Sequence, residues 1–462
     1  MGASPPSLRR DLGRVDSYAA LIGILVGAGI YMATKDAYLV TGPSLVLGYV
    51  ALAPVILCIA IPYAAFQSTP QLAGPGGDYA HIRAVFGPGV VTFLAAWLKI
   101  ISYLGALVYL AEAMAGYLIK TFALAGVVEL DPANYKRIIA TFCMVGFWVI
   151  HCVGVRWFGR IQVAMCLVLG LSILVLVVPG AFEIDFANFD PFFSSGSGAF
   201  FSSLPILFFA YAGFEALSHT AGEVRDSHEN LPKIYLRGVL VTTVIFFVMS
   251  SVVVGVLEAA EMEASSAPMA DAAEKFLHGS AALIVAIGGV FAAATSVNAT
   301  LIVPPRLAIT VAEDRSLPAV LAAVHPRTGT PIIGLTLSLA IAVALLWSGQ
   351  SGIALSIAVL ALMSVYLLHS VAFLMLGTRN RKLADSVTLG LSPAVQKGAA
   401  WASVLALGIL VYRVVSDDSQ KIDTPFITWP WTGTELLIAW SVVGAILFGV
   451  ARALHSRHAE SR

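Results

Sequence analysis

The sequence predicts an all-α polytopic membrane protein of twelve transmembrane helices, with the first and the sixth interrupted near their centres. Three observations predict it. Of 462 residues, 58% are hydrophobic and only 12% charged, with a mean hydropathy of +0.87. Soluble domains carry about 25% charged residues, so roughly half the usual charge is missing. Second, the apolar residues gather into twelve segments near the length of about 20 that a bilayer crossing needs. Third, lysine and arginine alternate loop by loop. With the N-terminus inside, 19 of the 27 fall in inner loops and 7 in outer ones, with Lys99 inside a segment. By the positive-inside rule this places both termini in the cytoplasm. The scarcity of charge excludes a soluble globular fold and a disordered chain. The net charge of zero excludes a nucleic-acid partner, which would need a basic excess. The partner the composition does imply is the lipid bilayer, and no large soluble domain fits in the loops.

Taken in order, the segments lie near 18–38, 44–64, 89–119, 136–155, 159–179, 200–219, 234–257, 280–302, 331–347, 353–376, 396–415 and 434–453. The polar, basic stretch 1–17 has no apolar core or cleavage pattern, so it is expected to be a cytoplasmic tail rather than a removed signal. Segment three is long enough to require tilt. Between segments two and three, Gly74-Pro75-Gly76-Gly77 precedes an amphipathic Tyr79, Ile82 and Phe86, which reads as a short re-entrant or interfacial helix. Residues 260–278 read as an outer helical lid. Residues 454–462 form a short basic cytoplasmic tail. Cys58, Cys143, Cys152 and Cys166 sit inside apolar runs without metal-ligand spacing and read as small apolar residues.

Glycine marks two breaks. Segment one contains Gly23, Gly27 and Gly29; segment six contains Gly213 after Phe209, Ala210, Tyr211 and Ala212. Glycine costs about 1 kcal/mol in a helix interior and permits unwinding. Unwound backbone at membrane depth is tolerated only where it lines a cavity. Segments one and six open two sets of five, 18–179 and 200–376. Five is odd, so the second set runs inverted, with 396–453 left over as helices eleven and twelve. Paired breaks in inverted halves point to a transporter site at the midplane. A half-helix starting after Gly27 presents the free amides of Ala28, Gly29 and Ile30 to a carboxylate. Half-helices ending near Val26 and Ala210–Ala212 present carbonyls to an ammonium group or Na⁺. Together they describe an α-amino acid as the substrate. The competing reading, close helix packing through small residues, explains the glycines alone. A dinucleotide site fails, because Met32 stands at the third glycine position and no strand precedes it. No convergent nucleophile–base or metal set appears, so no enzyme is expected.

Several motifs resemble the amino acid-polyamine-organocation permeases. Gly27-Ala28-Gly29-Ile30-Tyr31 looks like the signature of their first helix, and Ala73 to Ala80 like their first inner loop. Phe209 to Glu215, with Ala221-Gly222-Glu223-Val224-Arg225, is similar to their sixth helix and the loop after it. Arg306-Leu307-Ala308-Ile309 with Glu313 to Pro318 resembles the exit of their eighth. The resemblance implies a LeuT-type five-plus-five inverted repeat, alternating access and location in the plasma membrane. It places a substrate carboxylate on Ala28, Gly29 and Ile30, and the ammonium on carbonyls of Ile24, Phe209, Ala210 and Ala212. Phe209 would close over the substrate, and Tyr103, Leu107 and Thr300 would line its side chain. That lining is uncharged, so a neutral amino acid is expected.

The resemblance also raises the question of the coupling ion. Many such permeases hold a lysine in helix five where others bind sodium, and this sequence offers Leu169 or Gly170 there. Thr295 and Ser296, with Ala292 and the carbonyls of Gly23 and Val26, would make a five-oxygen Na⁺ site, of the ligand type hard cations prefer. No organic cofactor is implied. Glu215 is the candidate for a proton role, with a structural hydrogen bond to unwound helix one as the equal alternative. Lys99 and Glu112 are expected to snorkel towards opposite interfaces. His151, His219 and His369 read as polar helix contacts. Glu223, Arg225, Arg306 and Arg315 are candidates for gating ion pairs. Oligomeric state is not legible.

Overall fold

The computed structural model describes residues 10–72, 74, 76–277, 280–418 and 431–460. Ala73 and Pro75 of the loop motif lie outside these, as do parts of the predicted tails and the last residue of the predicted lid. The described residues are almost wholly helical; their one β contact is an isolated parallel bridge between Leu12 and Val224.

Segment one forms two helices, α1 (Arg14–Leu25) and α2 (Ala28–Thr41), separated by Val26 and Gly27. Segment two is α3 (Leu45–Gln67), and the amphipathic loop is α4 (Gly77–Phe86). Segment three, α5 (Val90–Leu124), has 35 residues and so runs about 50 Å, well beyond a hydrocarbon core of about 30 Å. Segments four and five are α6 (Pro132–Val153) and α7 (Val155–Gly180). Segment six breaks into α8 (Gly196–Tyr211) and the single turn α9 (Ala216–His219). Segment seven is α10 (Ser227–Val256), and the outer lid is helical as expected, α11 (Ala259–Ala264) and α12 (Pro268–Phe276). Segment eight is α13 (Ser280–Leu301), continued by α14 (Val303–Glu313). Segments nine and ten are α15 (Ile332–Trp347) and α16 (Ser351–Arg379). A short α17 (Arg381–Asp385) leads to α18 (Pro393–Asp417) and α19 (Gly433–Glu460), segments eleven and twelve.

Among the described residues, ten helical stretches are long and apolar enough to cross a membrane; Arg14–Gln67 contains α1, α2 and α3, and Ile332–Trp347 is a shorter apolar helix. Burial sorts them into layers. The most hydrophobic window of Ala281–Glu313 is 72% buried, that of Gly433–Ala453 only 17%. The first sits at the centre of the protein, and the second turns an apolar face outward, as a lipid-facing helix does. The packing pairs are regular. α3 lies on α10, α5 on α13, and α2 on α8; α5 also packs on α16 as α13 packs on α7. The ends of the chain share a face. Leu12 pairs with Val224 beside α9, and Arg452 near the end of α19 donates to the Pro88 carbonyl between α4 and α5. This is called the N-terminal face below. The four cysteines are free and half-buried.

Candidate functional site

Both predicted breaks are real, and the local chemistry explains them. α1 ends with the Val26 amide donating to the Ile22 carbonyl at 2.7 Å. Gly27 follows, and no side chain caps the new helix, so the amides of Ala28, Gly29 and Ile30 form its open N-terminus. A Cβ on Gly27 would fall 2.7 Å from the Gly23 carbonyl oxygen and 2.8 Å from that of Ala292, and one on Gly29 would fall 2.6 Å from Ala210 Cα. The backbones of α2, α8 and α13 therefore meet at distances only glycine allows. In segment six, Ala212 is extended and Gly213 has φ +101°, a left-handed conformation that suits glycine. The freed Gly213 amide donates to Glu215 Oε2 at 3.1 Å.

These breaks wall a narrow cavity, with about 460 Å³ of space between its lining atoms, part of it open to solvent. Of the predicted substrate residues, Ile24, Gly29, Tyr103, Phe209, Ala212 and Thr300 line it, together with Gly213. Leu107 does not. It is buried among Ala293, Val297 and Leu301, while Ser102, Ala106 and Leu110 of the same helix face the cavity. Starting from Tyr103, the steps to 106 and 110 follow one helical face, and 107 lies at its edge. Ala358 and Leu362 of α16 complete the wall, and no sequence signal had marked them. The lining is apolar apart from three hydroxyls. Ser102 already donates to the Ala358 carbonyl at 2.8 Å, and Tyr103 to Glu215 Oε1 at 2.8 Å. Phe209 also borders a second, wider space of about 940 Å³ with Asp36 and Tyr109, so its ring stands between cavity and vestibule. Tyr109 meets Phe209 edge-on at 5.4 Å and donates to Asp36 at 2.9 Å.

The N-terminal face is shut. Arg306 makes a fork to Glu223 (2.7 and 2.9 Å), with both side chains buried. Leu12 donates to the Glu223 carbonyl and accepts from the Arg225 amide, tying the segment before α1 across the same junction. Asp314 holds Arg83 at 2.6 Å and Tyr79 at 2.5 Å. Of the four predicted gating residues, Glu223 and Arg306 thus pair. Arg225 reaches the Arg10 carbonyl at 3.4 Å, and no ion pair joins Arg315 to a described residue.

At the predicted oxygen site the hydroxyls are hydrogen-bonded to backbone carbonyls. Thr295 Oγ1 lies 2.7 Å from the carbonyls of both Gly23 and Ala292, and Ser296 Oγ lies 3.4 Å from those of Gly23 and Ile24. Val26 lies in the break itself. The donors are all oxygen and uncharged, which fits a monovalent hard cation better than a divalent one. The α7 position facing this junction differs from the expected Leu169 or Gly170. A Cβ on Gly23 would meet Gln162 and Cys166, and Gln162 Nε2 lies 3.3 Å from the Thr295 carbonyl. Leu169 is core and Gly170 faces open space. Gln162 continues into a buried polar chain through Asn298 (2.8 Å) to His151 (3.0 Å), so His151 is a helix contact as expected.

The largest correction concerns Lys99. It does not snorkel. Its side chain is fully buried, with Nζ 2.5 Å from Glu215 Oε1 and 3.0 Å from Asp78 Oδ2. Glu215 accepts in addition from Tyr103, Tyr366 and the Gly213 amide. The backbone it meets is that of its own break, at Gly213, and among the described residues the expected hydrogen bond to helix one is absent. The sequence hid the pair because its members are 116 residues apart on different helices. The signal that could have exposed it was charge balance: a lysine in one apolar segment and a glutamate in another. Glu112 takes another partner, Lys136, at 3.4 Å.

A helical membrane protein with two interrupted helices around an uncharged cavity, closed on one face, defines the class of polytopic carriers. The amino acid permease family model matches residues 12–451, and the chain belongs to that family. It is 26% identical over 338 residues to the branched-chain amino acid permease BcaP of Bacillus subtilis, covering 71% of this chain and 72% of that one. It is 24% identical over 460 residues to a methylthioribose transporter of the same organism, covering 97% and 95%. To the large neutral amino acids transporter small subunit 2 of Oryctolagus cuniculus it is 25% identical over 349 residues, covering 72% and 63%. The relatives are named as transporters or permeases, in keeping with a protein that is not an enzyme.

Proposed function

We propose that the protein carries a neutral α-amino acid across the plasma membrane by alternating access, with twelve crossings, an inverted five-plus-five repeat and cytoplasmic termini. The observation that carries this reading is the cavity at the paired breaks. The α2 N-terminus, with the amides of Ala28, Gly29 and Ile30, is the seat for the carboxylate. Carbonyls of Ile24, Phe209, Ala210 and Ala212 are the seat for the ammonium. The side chain would lie among Tyr103, Ala106, Leu110, Thr300, Ala358 and Leu362. Lys99 is near but already holds two carboxylates, so it does not recruit an acidic substrate. The packing supports the repeat: exchanging helix n of the first five for helix n of the second turns the α5–α16 contact into α13–α7. The same exchange leaves α3–α10, α5–α13 and α2–α8 in place.

Coupling to Na⁺ is proposed at Gly23, Val26, Ala292, Thr295 and Ser296. The ion's role there would be to tie α1 to α13 and so favour the closed N-terminal face. The decisive measurement is uptake of a neutral amino-acid panel by proteoliposomes, in Na⁺ and in choline at fixed pH. Saturable uptake that falls in choline and in Thr295→Ala supports both parts. Saturable uptake indifferent to Na⁺ removes the ion and keeps the carrier, and no uptake of any member removes the substrate class.

A further inference from the structure

Beneath the cavity lies a buried cluster of four charged or titratable side chains whose charges do not cancel. Lys99 faces two carboxylates, Asp78 and Glu215. His219 Nε2 lies 3.2 Å from Asp78 Oδ1, close enough for an ion pair, and neither of its ring nitrogens has a hydrogen-bond partner. All four side chains are 98–100% buried. Two carboxylates and one ammonium leave a charge of −1. An uncompensated charge held away from water is costly, and groups in that position bind or release a proton instead.

Among the described residues, the surroundings offer no other unpaired cation. On α4, His81 bonds to His369 of α16 at 3.0 Å, not to the cluster carboxylates. Tyr63 of α3 donates to Asp78, and Tyr103 of α5 and Tyr366 of α16 donate to Glu215. Those three phenols supply hydrogen bonds but no charge. Tyr235 of α10 carries none either. The nearest arginine of α14, Arg306, is neutralised by Glu223 in the turn after α9. On α1, Arg14 is bound to Asn230, Asp16 to the Gly13 amide, and Tyr18 packs on apolar core.

We propose that the Asp78–His219 pair is a proton-binding site, and that its proton stabilises the conformation with the N-terminal face closed. His219 ends α9, the second half of the broken sixth helix, and Asp78 opens α4. Separating these elements would expose the pair to water, where the spare charge needs no proton. Protonated His219 brings the cluster to neutrality only while α4, α5 and α9 are packed together. Glu215, the member nearest the cavity, is already saturated by Lys99, two tyrosines and an amide, so it is not the seat. The site is separate from the oxygen junction of Gly23 and Thr295. It rests on the alternating-access reading only for its consequence in transport.

Thermal stability of the purified full-length protein against pH tests it without any substrate. Asp78→Asn leaves Lys99 and Glu215 balanced, and His219→Gln leaves the cluster at −1 throughout. The wild type should run parallel to Asp78→Asn at acid pH and to His219→Gln at alkaline pH. Between these limits, its folded-to-unfolded ratio should fall relative to Asp78→Asn by up to about tenfold per pH unit, the slope for one linked proton. Curves parallel at every pH overturn the proposal, and a wild-type transition that survives in His219→Gln overturns the assignment to this pair. If His219→Gln does not fold, His219→Asn takes its place. Counterflow in proteoliposomes at equal inner and outer pH then asks for the consequence. Its pH dependence should vanish in Asp78→Asn, and dependence unchanged in that variant overturns the link to closure.

Discussion

Single residues decide whether the breaks can form. Gly27 and Gly29 sit where a Cβ would strike backbone: the Gly23 and Ala292 oxygens in one case and Ala210 Cα in the other. Overpacking of this kind costs about 1–3 kcal/mol. It is relieved only by parting α2 from α8 or α13, which unmakes the cavity. Gly29→Ala should therefore abolish saturable uptake while the detergent-purified protein keeps its helical circular dichroism. Retained uptake with unchanged apparent affinity would show that the cavity does not bind substrate. Lys99 is the other decisive residue. Removing one partner of a buried ion cluster costs about 3–5 kcal/mol, because the remaining charges lose their compensation. Lys99→Met should thus lower the midpoint of thermal unfolding steeply, and adding Glu215→Gln should recover part of the loss. If the double variant is no more stable than the single one, the pair is not coupled as its 2.5 Å contact implies.

Elements carry the next layer of the argument. The second half of the sixth helix is a single turn, α9, too short to hold itself and fixed by its neighbours. The Glu215 carboxylate caps the Gly213 amide, Arg306 of α14 grips Glu223 just beyond, and Leu12 crosses to Val224. The Arg306–Glu223 fork is a buried bidentate pair, so its loss leaves Glu223 charged and alone. Arg306→Gln should raise the reactivity of a cysteine introduced at Ser218 towards a reagent applied from the N-terminal side. Equal labelling with and without the substitution would mean that the pair is no gate. These elements also show what the sequence could and could not tell. Every apolar segment, both breaks, the α4 loop and the lid could be read from local pattern, since hydropathy and glycine placement act over a few residues. The cluster of Lys99, Asp78, Glu215 and His219 could not, because it joins α4, α5 and the α9 side of the α8–α9 break. Leu107 was chosen for the right helix but the wrong edge, and Leu169 or Gly170 for the right helix but the wrong turn. In each case the helix could be read, but its rotation was set by packing against partners distant in sequence.

At the scale of the whole molecule, the described conformation has one face shut and a vestibule of about 940 Å³ on the other side of Phe209. A carrier must exchange these two conditions, whereas a channel or scaffold need not. The parallel bridge between Leu12 and Val224 gives a place to test this directly. Paired strands lie about 4.8 Å apart, within the Cα separation a disulfide spans. The native cysteines, at positions 58, 143, 152 and 166, all lie within helices and are free. Leu12→Cys with Val224→Cys should therefore cross-link when oxidised and pin the N-terminal face closed. Oxidation should stop net uptake and counterflow, and a reductant should restore both. Substrate should still raise the thermal stability of the oxidised protein, because the cavity remains reachable through the vestibule and a ligand of the folded state stabilises it. The two readouts must part for the reading to hold: transport lost, binding kept. If the oxidised protein transports at the reduced rate, the route does not pass through this face. If binding vanishes with transport, the cavity is loaded from the N-terminal side, and the vestibule is not its outer mouth.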